Sequence, residues 1–378
     1  MRVGIYLGYP FPVLLAGEGI GRYVVRLAAG LLYEEPGTEI HILVMPPNVT
    51  EVEQMFTRLK LEFPSRLTIY CSDDLRWINT GVPVDLWIVP WVGLESAQYL
   101  TKPLLVCLHD LAWLHVPELE DLGKWIDGTA KTLTRKAAAV ICNSSYIRTC
   151  DGLDYLKLSP EKTHVIRPAA PAEEYSSFAL CQEQEFREQY RLNHNYFVFP
   201  SIIRPHKNHL RLIKAFFRFK QEQTTRKTEL DLVFTDYWEN FYHKSELLRG
   251  CDPLFDSIKF LGRLPAHALP ALYKYAAGTV VPTLFEGSCP FPILESLLMG
   301  TPVSFGRIAV AMEVIRDRGA FITFDPYDVA DIQRAIGELW ESGKSTAVKQ
   351  KTALSYVLAR TWRDVAREYH TVFDRIMG

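Results

Sequence analysis

The chain has 378 residues, 48% of them hydrophobic and 23% charged, with a formal net charge of -2. That length allows two cores, and the charge balance argues against nucleic acid as a partner, since a binder of that kind carries a basic excess. Seven scattered cysteines (Cys71, Cys107, Cys142, Cys150, Cys181, Cys251 and Cys289), with no C-x-x-C pair, indicate neither a disulfide framework nor a zinc site and favour a reducing compartment.

The opening residues MRVGIYLGYP read as a strand rather than a signal peptide, and no apolar run reaches membrane-spanning length. A cytoplasmic location is therefore expected. The first strand runs from Arg2 to Gly8. After a loop, Gly19-Ile20-Gly21-Arg22-Tyr23 opens a helix to about Tyr33. This is not the dinucleotide fingerprint, because Arg22 occupies the last glycine position. It is still a glycine turn where backbone can approach a ligand. Further strands are expected at His41–Met45, Leu67–Cys71 and Leu86–Val89, with a helix at Glu51–Leu59. Pro103 to Leu108 is a buried-strand pattern that ends at His109-Asp110. Polar residues just beyond such a strand sit where α/β sheets bind ligands, so His109 is a candidate for orienting or polarising a substrate group. Trp113, His115 and Pro117 follow in a loop suited to shaping an acceptor pocket. Ala137–Ile141 reads as a strand, then a helix capped by Asn143 or Ser144, and Thr163–Ile166 as the last strand of this half. The run Arg167-Pro168-Ala169-Ala170-Pro171 breaks the pattern.

A second alternation begins at Tyr196–Pro200. It continues through Ser201-Ile202-Ile203-Arg204-Pro205-His206-Lys207-Asn208, a helix to about Gln221, and strands at Leu230–Thr235 and Ser257–Leu261. The apolar run Thr279–Leu284 then leads into Phe285-Glu286-Gly287-Ser288-Cys289-Pro290-Phe291-Pro292, with a helix from about Pro292 to Met299 stopped by Gly300. A strand, a small-residue turn and a helix start aim free N–H groups and the positive dipole end at one point, which suits a diphosphate. Glu286 and Glu295 flank that point, and carboxylates accept hydrogen bonds from sugar hydroxyls. An anion cradle with hydroxyl acceptors describes a nucleotide-sugar site; the plainer reading is an ordinary βα turn with two solvated acids. Two βα alternations around a proline-rich break imply two doubly wound domains.

At this point several blocks share the order and spacing of one family. They are Gly19-Ile20-Gly21-Arg22-Tyr23, Leu108-His109-Asp110-Leu111, Ala139 to Ser145, Arg204-Pro205-His206-Lys207-Asn208, Lys259-Phe260-Leu261-Gly262-Arg263, and Phe285-Glu286-Gly287 through Leu294-Glu295 to Val303. Over nearly its whole length the chain resembles retaining glycosyltransferases of the GT-B fold, in the nucleotide-sugar-dependent family 4. The resemblance implies two Rossmann-like domains facing a central cleft. The first, residues 1–170, would bind the acceptor, with the terminal helix 362–378 returning to it. The second, residues 171–361, would bind the donor.

Family counterparts give Arg204 and Lys207 the task of neutralising the diphosphate leaving group, with no metal or other cofactor. In many relatives the arginine stands nearer Ser201, so Arg204 supplies the charge from a shifted position or the site has one cation fewer. Glu286 would face the donor sugar and Glu295 the ribose. Gly19 would approach the diphosphate, Gly262 and Arg263 the base, and Gly287, Ser288, Cys289 and Phe291 the phosphates. His109 would lie near donor sugar and acceptor. One departure stands out: eight residues separate Glu286 from Glu295 where the family pattern has seven. The reading favours a bulge at Ser288–Pro292 with both flanks in register. The styles of the His109 and Lys207 blocks lean towards GDP-mannose over UDP-sugars. The acceptor is expected to be a glycan, lipid-linked or small molecule. Peripheral membrane contact through Lys124, Trp125, Lys131, Arg135 and Lys136 stays open beside a plain solvated helix face. A hydrolase or epimerase of the same fold, and a degenerate relative that only binds nucleotide sugar, are the alternatives.

Overall fold

The computed structural model describes residues 1–222, 229–241 and 253–378; Cys251 lies outside them. The chain divides into two compact units, Met1–Ala169 with Arg360–Gly378, and Ala170–Ala359.

The first unit is built on seven strands: β1 (Arg2–Leu7), β2 (Glu39–Val44), β3 (Leu67–Cys71), β4 (Leu86–Val89), β5 (Leu104–Leu108), β6 (Ala139–Cys142) and β7 (Thr163–Val165). They pair in parallel in the order β3-β2-β1-β4-β5-β6-β7. The all-buried run Leu104-Leu105-Val106-Cys107-Leu108 shows why these strands read as continuous apolar stretches: both faces of the sheet are covered. The order reverses between β1 and β4, and crevices at such reversals are where doubly wound sheets take ligands.

The terminal helix Trp362–Met377 belongs to this first unit. A capping box between Thr361 and Asp364 starts it. It buries Val365, Ala366, Tyr369, Val372 and Phe373, the two valines and the phenylalanine contributing about 1.5–3 kcal/mol each. Its partner is the helix Gly19–Glu34, where Tyr23 and Tyr369 share a buried hydroxyl contact of 2.5 Å. Close approach depends on Gly30: a Cβ there would stand 2.3 Å from the Trp362 carbonyl oxygen, a backbone atom that cannot swing aside. Gly30→Val is therefore expected to cost about 2 kcal/mol or more and to lower the thermal midpoint by about 4–8 °C. Gly128 is the contrast. It lies on the exposed face of the helix Glu120–Lys136 with open space around it, so Gly128→Ala should stabilise by about 0.5–1 kcal/mol. Thermal scans of both variants check the pair.

The second unit carries β8 (Asn195–Phe199), β9 (Leu230–Phe234), β10 (Ile258–Phe260), β11 (Gly278–Val281), β12 (Val303–Gly306) and β13 (Ile322–Phe324). Their parallel order is β10-β9-β8-β11-β12-β13. Here the reversal falls between β8 and β11. The two segments leaving those strands, Pro200 onward and Pro282 onward, are thereby made neighbours although some eighty residues separate them.

Local differences from the sequence reading have local causes. The helix expected after Ser144 is a single α turn, Ser145–Ile147, running into a π-helical stretch Arg148–Tyr155. Asp151, fully buried in that stretch, explains the widening: its carboxylate accepts from the Leu111 amide at 2.7 Å and contacts His115 Nε2 at 2.6 Å. Two short helices, Ser345–Ala353 and Ser355–Leu358, precede the terminal helix, and of the two caps the sequence offers Asn143 is not used, because Ser144 Oγ takes the Ile147 amide.

Candidate active site

In the second unit, the segment after β8 turns through a short 3₁₀ helix, Pro205–Lys207, and enters the helix His209–Gln221 at Asn208. Asn208 holds a left-handed conformation, φ 61°. Its buried amide group donates to the Pro282 and Pro326 carbonyls at 2.9 and 2.7 Å rather than capping the helix. This pins the Lys207 segment to the chain leaving β11. The Leu284 amide donates to the His206 carbonyl at 2.7 Å and completes the junction.

Lys207 Nζ thus reaches Glu286 Oε1 at 2.5 Å, both side chains about four-fifths buried. Thr283 Oγ1 donates to the same oxygen at 3.0 Å and fixes the carboxylate. His206, beside them, is pushed down to about 3 by burial and then by the charges of Lys207 and Arg204. It stays neutral near pH 7, chiefly because it is buried, with the two neighbouring cations adding to the effect. Arg204 is exposed at the start of the turn.

From Glu286 to Pro290 the chain is an irregular bend, and the helix Phe291–Leu298 follows. Among the described residues, the amides of Gly287, Ser288 and Cys289 donate to no backbone group. Burial and the neighbouring Glu286 charge push the Cys289 thiol up to about 12, so it remains protonated. Glu295 is 3% exposed and accepts from the Tyr273 hydroxyl at 2.7 Å. Gly262, at φ 70°, and Arg263 form the turn after β10, on the same carboxyl edge of the sheet.

In the first unit, His109 follows β5. Asn143 Nδ2 lies 2.6 Å from its Nδ1, and the Tyr23 ring meets it edge-on at 4.8 Å. Burial brings its pKa to about 4 against the opposing effects of the Pro90 carbonyl and Asn143. It is neutral near pH 7: it can exchange hydrogen bonds with a hydroxyl but supplies no positive charge. Gly19 is exposed, and a Cβ there would meet nothing within 4 Å; the glycine that packing demands is Gly21, whose Cβ would fall 1.9 Å from the Leu15 carbonyl oxygen. On the helix Glu120–Lys136, Trp125 is 89% exposed, but the lysines are engaged: Lys124 with Asp121, Lys131 with Asp127, and Lys136 with the Gln98 and Leu100 carbonyls. No described helix is long and apolar enough to cross a membrane.

Four residues that shape these groups escape the sequence reading: Thr283, Tyr273, Asn143 in its contact with His109, and Asp236 after β9. Asp236 and Asn143 had a readable signal, each a polar residue just past the carboxyl end of a buried strand.

The family model described as glycosyl transferases group 1 matches residues 182–354. That stretch lies within the second unit and contains the Lys207–Glu286 pair. The chain is also 30% identical over 241 residues to O-antigen chain mannosyltransferase B of Escherichia coli; the match takes in 60% of this chain and 58% of that protein. The chain thus spans just over half the length of this curated relative. Among solved structures, Anabaena HepE in complex with UDP-glucose superposes with a TM-score of 0.73 at 16% identity, covering 99% of this chain and all of that one. A glycosyltransferase from Rickettsia africae gives 0.71 at 16% identity, covering 100% and 98%. At these identities the likeness speaks for the fold, and the α/β fold with its two parallel sheets is GT-B-like.

Proposed function

We propose that this chain is a retaining glycosyltransferase of family 4 that moves a hexosyl group from a nucleoside-diphosphate sugar to a hydroxyl of a growing glycan. The observation that carries the reading is the junction of Lys207, Glu286 and the open amides of residues 287–289 at the strand-order reversal of the second sheet. A diphosphate there meets backbone donors, a helix start and two basic side chains. Lys207 and Arg204 would offset the charge that grows on the departing diphosphate, so transfer is expected to be insensitive to magnesium or chelator. Glu286 would hold the sugar and Glu295 the ribose. The bond from the anomeric carbon to the diphosphate breaks, the bond to the acceptor oxygen forms on the same face, and the leaving phosphate takes the acceptor proton. His109, neutral, would orient a hydroxyl of donor or acceptor.

For the donor we favour GDP-mannose, in line with the mannosyltransferase named among the relatives. The HepE complexes with UDP-glucose support a UDP-sugar as the second reading. Both names concern those proteins, and a direct test is simple. The thermal midpoint is followed with GDP, UDP and their sugar conjugates, with and without magnesium. A shift by GDP over UDP supports the first reading. No shift by either at millimolar concentration would sink the donor site. Product anomer configuration by NMR then reports retention.

A further inference from the structure

Tyr237 stands at the carboxyl end of β9 with 51% of its surface exposed, beside the turn that follows the neighbouring strand β10. The ring lies directly on Gly262: a Cβ at that position would sit 2.6 Å from Tyr237 Cε1 and 3.1 Å from Cζ. Glycine there serves two ends, the positive φ of 70° and the room for an aromatic ring. The ring's location is set from behind by Asp236, a carboxylate only 2% exposed. Its Oδ1 accepts from the Tyr237 amide at 2.9 Å and from Asn240 Nδ2 at 2.7 Å, while Oδ2 accepts from the Ile203 amide at 2.7 Å. The Gly262 amide donates to the Asp236 carbonyl at 3.3 Å. One buried residue therefore ties the Arg204 segment, the Tyr237 segment and the Gly262 turn into one rim at the ligand-binding edge of the sheet.

An aromatic ring that is half exposed, set against Gly262 and with its backbone held by Asp236, offers a flat surface to a planar partner. We propose that Tyr237 is the stacking platform for the nucleobase of the donor, with Gly262 and Asp236 as the residues that position it. The proposal rests on the donor-site reading above and adds the residue that holds the base. Because any base has a π-face, the ring would set affinity for GDP and UDP alike rather than choose between them.

The test is calorimetric titration of the full chain with GDP, UDP and inorganic pyrophosphate, which lacks a base. Tyr237→Ala should weaken both nucleotides by about ten- to hundredfold and leave pyrophosphate within about twofold of wild type. Tyr237→Phe should bind as wild type does. Should the alanine variant fold poorly, Tyr237→Leu keeps the apolar bulk without the aromatic face and is expected to show the same selective loss. Nucleotide affinity that survives Tyr237→Ala overturns the platform. So does an equal loss for pyrophosphate, which would make the ring a support for the Arg204 segment. Wild-type protein that binds pyrophosphate and nucleotides equally weakly overturns the donor-site reading with it, and that outcome is visible before any variant is made.

Discussion

Lys207→Ala is expected to weaken nucleoside-diphosphate binding by about ten- to hundredfold and to cut the transfer rate by about 10²–10³. The lysine sits at the meeting of the segments leaving β8 and β11, its ammonium 2.5 Å from Glu286. A charge-assisted contact to phosphate accounts for the first figure. The second exceeds it because the diphosphate gains charge as it departs. The fold should survive the change: Glu286 keeps the Thr283 hydroxyl at 3.0 Å, and about a fifth of its side chain still faces solvent. Calorimetry and initial rates on the same preparation separate the two effects. A companion variant sharpens the result. Glu286→Gln removes the charge that pairs with Lys207, so nucleotide should bind at least as well while transfer falls. If both variants lose binding equally, the pair is a structural strut and the assignment fails. Unchanged binding and rate in Lys207→Ala would place the diphosphate elsewhere.

The Lys207–Glu286 pair also shows which parts of the molecule the sequence discloses. Each residue belongs to a block that is legible on its own: a basic turn after an apolar strand, and an acid before a glycine turn and a helix. Their contact is not legible, because it depends on β8 and β11 being neighbours, and strand order is a property of the folded sheet. The strands themselves stand out as apolar runs because both faces of each sheet are buried. Short elements do not. The helix Leu75–Gly81 buries only Ile78 and leaves no periodic trace. The π-helical stretch hides for a different reason. Its organising residue, Asp151, is a charge fully buried where a pattern reader expects an apolar side chain. Glu295 is intermediate: its place on the helix is readable, whereas its buried bond to Tyr273 joins two helices and is not. Polar contacts between distant segments are the common element in what sequence reasoning overlooks, and they are also what aims the site's side chains.

Acidification from pH 7 to 5 is expected to destabilise the folded chain, with the buried histidines responsible. His109 is lowered to about 4, and His206 and His209 to about 3, chiefly by burial. His41, His164 and His370 are lowered as well. In each case the unfolded chain takes up a proton near pH 6.5 that the folded state accepts only at lower pH. The unfolded state therefore binds more protons in this window, and stability falls as pH falls through it. The lowered carboxylates Asp85, Asp331 and Asp364 titrate below this range, so the histidines dominate it. His209 gives the cleanest test. It is 3% exposed, its ring packs between Phe199 at 5.1 Å and Phe234 at 5.0 Å, and neither ring nitrogen has a hydrogen-bond partner among the described residues. Its share of the loss between pH 7 and 5 is about 2 kcal/mol, or about 4–8 °C in thermal midpoint for a unit of this size. His209→Leu should fold as well as wild type at pH 7, since it removes two unpaired ring nitrogens from an aromatic pocket. At pH 5 it should be the more stable protein. Urea unfolding of both chains at the two pH values decides the matter. Parallel losses in wild type and variant would mean that His209 is already charged in the fold, and that the aromatic pocket does not exclude the proton.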